Sequence, residues 1–176
     1  MEKNQMKKKK LSTKTIAMLA MMIAIALVFS YVETLIPINF GIPGVKLGLA
    51  NLAIVAVLYI MGGKQALFVS VVRIVLSGFL FANLASILYS LAGGLLSLAI
   101  MVLLQKTKKF PVVVVSVIGG ICHNVGQLIV AMFVVESLSL TVYLPVLLIA
   151  GFLTGLLIGI VCQLVLPSVR KAYMAS

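Results

Sequence analysis

The sequence predicts an all-α, polytopic membrane protein, a bundle of six transmembrane helices, and three observations carry that prediction. Of the 176 residues, 63% are hydrophobic, and the mean hydropathy is +1.29, well beyond a soluble domain's composition. The apolar residues form six runs, mostly near the ~20 residues that cross a hydrocarbon core. The charges sit almost wholly between those runs.

Residues 1–13 form a basic tail in which Lys3, Lys7, Lys8, Lys9 and Lys10 crowd together. Span one, 14–32, follows directly. A signal peptide has a similar basic start, but this run is long and no clear A-x-A site follows it, so it reads as a span. The connection ETLIPINFGIPGVK (Glu33–Lys46) then breaks the helix with two prolines and two glycines. It is apolar enough to lie in the interface or fold back as a lid. Span two, 46–61, stops at Gly62-Gly63, and span three covers 65–82. The weakest break is Asn83, which predicts a tight hairpin into span four, 84–104. Lys106–Pro111 separates it from span five, 111–135, and Glu136–Thr141 precedes span six, 142–166. Pro167 is expected to end that helix, leaving 168–176 as a second tail after a single membrane domain over 14–167.

The net charge of +11 invites a nucleic-acid reading, but its placement argues against one. With the N-terminus inside, twelve of the fourteen Lys and Arg lie on that side, Lys46 alone lies outside, and Arg73 lies within a span. That asymmetry orients both termini to the cytoplasm across the cell membrane.

The polar residues inside the spans fall at one depth. Counting from the outer helix ends, Asn51 lies roughly 9 Å down, Arg73 roughly 13 Å, and His123, Asn124 and Gln127 roughly 12–18 Å. Ser86, Tyr89 and Ser90 occupy the outer third of span four. His123 and Gln127 are four apart and share a helix face. Such groups either tie the helices together by hydrogen bonds or line a cavity, and an intramembrane Arg generally faces an interior or a wet pocket. With no acid inside the expected spans, Arg73 favours the second. The substrate-binding set is therefore Arg73, His123, Asn51, Asn124, Gln127 and Tyr89, with Lys46 at the rim, suited to a small polar or anionic molecule.

Two small-residue stripes stand out. Gly151, Gly155 and Gly159 suit close packing within the bundle. Ala17, Ala20 and Ala24 lie along one face of span one, where a partner helix is one use of the spacing. Cys122 and Cys162 read as small buried hydrophobes.

Much chemistry is absent. Gly62-Gly63-Lys64 lacks the rest of a P-loop, so the chain is not itself an ATPase. The sequence contains no Asp, which removes an aspartate-held magnesium site and a Ser/His/Asp triad. No cofactor or metal is expected, and no enzyme activity.

Four ordered motifs carry a resemblance: PGVKLGLANLAIVAVLY (Pro43–Tyr59), VVRIVLSGFLF (Val71–Phe81), LYSLAGGLLSL (Leu88–Leu98) and HNVGQLIVA (His123–Ala131). Over about residues 14–167 the chain resembles the Gx transporter family, also labelled heptaprenyl diphosphate synthase component I. That family is related to the S components of bacterial energy-coupling-factor transporters. The resemblance implies a six-helix, S-component-like fold that binds substrate near the outer face. It also implies a transmembrane coupling subunit and ATPases as partners, with Ala20 and Ala24 matching an A-x3-A contact motif. The implied cycle has ligand held under the 33–46 connection and the bundle toppling in the membrane lipid. The synthase label implies instead an accessory partner of a prenyl synthase catalytic subunit, since prenyl elongation needs aspartate-held magnesium and this chain has none.

Overall fold

The computed structural model describes residues 12–35 and 48–175. These fold into six α-helices and one short 3-10 helix: α1 (Thr13–Leu35), α2 (Asn51–Ile60), α3 (Gly63–Phe81), α4 (Leu84–Thr107), α5 (Val112–Val135), the 3-10 helix (Leu138–Tyr143) and α6 (Leu144–Ala175). The all-helical bundle is as expected, and five of its helices are long and apolar enough to cross a membrane.

The exception is α2. Its expected span of 46–61 becomes a helix of 10 residues, roughly 15 Å long. Gly48 adopts φ +88, a left-handed conformation that glycine tolerates and that ends the helical ladder. Gly62, at φ +101, does the same at the turn into α3. At that lower end the Gln105 amide donates to the Leu58 carbonyl at 2.9 Å, satisfying one of the orphan acceptors of α2.

Two other breaks were resolved differently from each other. Asn83 caps α4 by accepting from the Ser86 amide at 2.9 Å, so the weak break is a capped hairpin. Pro167, expected to end the last span, lies inside α6. Proline removes one amide donor but its φ remains helical, and Leu166, Val169 and Tyr173 beyond and before it still pack on the core. The C-terminal tail is therefore largely helix. At 32 residues, or roughly 48 Å, α6 exceeds a ~30 Å hydrocarbon core, and its last turns expose Arg170 and Lys171.

In the packing, α5 lies between α4 and α6, α3 touches α1, α2 and α4, and α2 is enclosed by α1, α3 and α6. One end of the bundle is basic, with Lys14, Lys64, Lys106, Lys108 and Lys109; there Lys14 sits 4.9 Å over the Tyr173 ring. At the other end the Tyr31 and Phe81 rings meet at 5.2 Å, and no Lys or Arg lies there among the described residues.

The glycine stripe of α6 packs internally, as its spacing suggests. A methyl added at Gly155 would stand 2.7 Å from the Ser116 oxygen and the Val117 Cα, and one at Gly151 or Gly159 would strike α5 backbone similarly. Gly120 completes the seam against Gly151. Dispersion gained by this close approach holds helices that lipid would otherwise solvate equally well. We expect Gly155→Ala to force the two backbones apart and to lower stability by about 1–3 kcal/mol. Equilibrium unfolding in detergent checks this, and an unchanged midpoint would mean the seam has slack.

Candidate functional site

The polar side chains do converge, at the upper end of α2. Because α2 starts late, its first residue, Asn51, stands inside the bundle rather than at its edge. The Arg73 guanidinium on α3 donates to Asn51 Oδ1 at 3.1 Å. Both side chains are buried, Arg73 at 3% exposure. On α5, the Gln127 amide contacts the His123 Nε2 at 2.5 Å, and both residues are fully enclosed. With the amide donating, the imidazole proton resides on Nδ1, which faces Gly93 of α4. The Nε2 edge of His123 is covered by Gly48: a Cβ there would lie 3.3 Å from Nε2 and 2.9 Å from the Asn51 amide nitrogen. Only glycine lets the chain cross the imidazole so closely.

Glu33 belongs to this cluster, which corrects a premise of the sequence reading. An outer connection that begins at Glu33 leaves Arg73 without an intramembrane acid. Glu33 instead lies within α1 and is buried. Its carboxylate accepts from the Gly48 amide and acts electrostatically on the Arg73 guanidinium. The buried stripe Met22, Ala26, Ser30, Glu33 keeps helical spacing. Continuing that stripe past residue 32 would have found the acid. Gly48, the other residue missed, has only the sequence signal of a glycine before the span.

The remaining expected residues divide. Asn124 is buried but turned to α6, donating to the Leu147 carbonyl at 2.8 Å, a helix tie in the ordinary sense. Tyr89 packs with Leu128, Ala131 and Leu147 in an apolar cluster, one turn along α4 from Gly93. Lys46 lies outside the described residues, as does most of the 33–46 connection. Ala17, Ala20 and Ala24 all lie on the exposed side of α1.

Three buried polar atoms of the expected set have no hydrogen-bond partner, Arg73 Nε, His123 Nδ1 and Asn124 Oδ1. Leaving such groups unpaired costs about 1–3 kcal/mol each, more for a charge. The space between Gly48, Asn51 and the α4–α6 seam is about 10 Å³, room for one water at most. The cluster thus offers an unused donor on a buried cation, held close to the amino end of a half-length helix, where the helix dipole is positive. Broken helices near mid-membrane use such ends to hold anionic groups. Among the described residues, no grouping of His, Cys and Glu is suited to hold a metal ion.

Comparison with known proteins gives one match. The family model described as heptaprenyl diphosphate synthase component I aligns with residues 22–165, which include every helix that contributes to the cluster. No curated protein and no solved structure matches the chain. With most of its length covered, the chain belongs to the heptaprenyl diphosphate synthase component I family.

Proposed function

We propose that this protein is a noncatalytic, substrate-binding membrane subunit of an uptake transporter of the energy-coupling-factor type. It binds a small polar or anionic molecule in the half of the bundle that holds Glu33. The observation that carries the reading is Arg73: buried, bonded to Asn51, and with its Nε unpartnered. A purely structural arginine would be expected to use its donors within the bundle. Gly48 lies on His123, so a ligand that reaches the imidazole displaces that backbone, and the Glu33–Gly48 bond opposes the displacement. The charge asymmetry of the sequence orients the Glu33 end outward and both termini to the cytoplasm. The exposed alanine face of α1 then offers a surface for a transmembrane coupling subunit with its ATPases.

Mass spectrometry of small molecules released from gently purified protein tests this. The expected result is a stoichiometric polar compound that is lost in Arg73→Ala while the variant stays monodisperse. An identical compound at identical yield in Arg73→Ala would remove Arg73 from any site.

The family description favours a second reading, a noncatalytic membrane accessory of a prenyl diphosphate synthase. It predicts co-purification with a soluble prenyl synthase and a change in that enzyme's rate or product length. Synthase activity that is the same with and without this chain would dispose of it.

A further inference from the structure

Two grooves flank the first turns of α3 at the basic end, and they share one residue. The first, about 470 Å³, runs between α1 and α3 and is lined by Ile16, Leu19, Ile23, Phe68 and Lys64. The second, about 650 Å³, runs between α3 and α4 past Leu67, Leu95, Leu98 and Leu103, with Lys64 and Lys106 at its edge. On a helix, Gln65 and Phe68 turn to one side of Lys64 and Leu67 to the other, so the lysine stands on the ridge between the grooves. The second groove follows α4 from Leu95 to Lys106, roughly 16 Å, about half of a ~30 Å hydrocarbon core. Both walls are apolar, and their mouths carry Lys64, Lys106, Gln65 and Gln105. No acid lies at that end among the described residues.

We infer that α3 is straddled by one diacyl anionic phospholipid, with a chain in each groove and its phosphate held by Lys64 and Lys106. Two grooves meeting at one cation select a forked, two-chain lipid over a single-chain one. The charge selects an anionic head over a zwitterionic one, since lysines near a membrane surface attract anionic lipid. Ala20 also lines the first groove, so a partner helix seated there and the lipid chain exclude each other. This inference is independent of the ligand proposed for the Arg73 cluster.

Native mass spectrometry of the full chain in detergent, titrated with defined lipids, tests it. Phosphatidylglycerol is expected to give a retained one-to-one adduct, at least fivefold more abundant than with phosphatidylcholine or with single-chain lysophosphatidylglycerol. Lys64→Gln/Lys106→Gln is expected to lose that preference. Lys108→Gln/Lys109→Gln, which removes equal charge from the same end outside the grooves, is expected to keep it. Equal adducts with phosphatidylcholine, equal loss in both double variants, or lysophosphatidylglycerol binding as well as the diacyl lipid would each overturn the assignment. So would displacement of phosphatidylglycerol by an equimolar prenyl diphosphate, which would make the occupant a single-chain diphosphate.

Discussion

Glu33→Ala is expected to destabilise the bundle by about 3–5 kcal/mol, the usual consequence of removing one member of a buried charge pair. The loss has two parts. The Gly48 amide loses its acceptor, which frees the chain where it crosses His123. The Arg73 guanidinium, 3% exposed, keeps its bond to Asn51 but loses the opposite charge that acts on it. The second part can be isolated. If Glu33 and Arg73 are energetically coupled, Arg73→Met should cost less in a Glu33→Gln background than alone, by about 1–3 kcal/mol. Unfolding in mixed micelles followed by circular dichroism yields all four corners of the cycle. Strict additivity would mean that the two charges are each solvated separately and that the cluster is not one unit.

The fold was legible because lipid makes a simple demand: every backbone polar group must be satisfied within its own helix. Long apolar runs can then become only helices, and α1, α3, α4 and α5 lie close to where hydropathy puts them. The two errors of extent run in opposite directions and have different causes. Apart from Asn51, the chain is apolar or glycine from Leu47 to Tyr59, so nothing in hydropathy distinguishes a full span from the short α2 that Gly48 begins late. Conversely, Pro167 looks like a stop, yet a proline costs a helix one amide bond, and the packing of Val169 and Tyr173 on the core outweighs it.

The site was legible in its residue types but not in its pairings. Depth alone brought Arg73, Asn51, His123 and Gln127 to one level. Depth says nothing about azimuth, so Asn124, one residue from His123, was grouped with it although it serves α6 through Leu147. Glu33 was lost to a boundary drawn three residues early on α1. That error mattered chemically, because an arginine without an intramembrane acid and an arginine facing one select different ligands.

The sharpest separation of binding from folding is Arg73→Lys. Lysine keeps the positive charge near Glu33, so the electrostatic balance that holds the cluster survives and the stability cost is expected to stay near 1 kcal/mol, within the range of ordinary substitutions. What it cannot keep is the planar fork, in which one nitrogen binds Asn51 while Nε remains free for a ligand. Losing a hydrogen bond to a buried charged group weakens binding by about 2–5 kcal/mol, so affinity for the released compound is expected to fall by at least thirtyfold. Isothermal titration with that compound, alongside unfolding of the same preparation, reads both quantities. Weak binding with intact stability would place Arg73 on the ligand. Full binding by the lysine variant would mean that charge alone is used, and the free Nε would then be an incidental vacancy in a structural network held by Glu33 and Asn51.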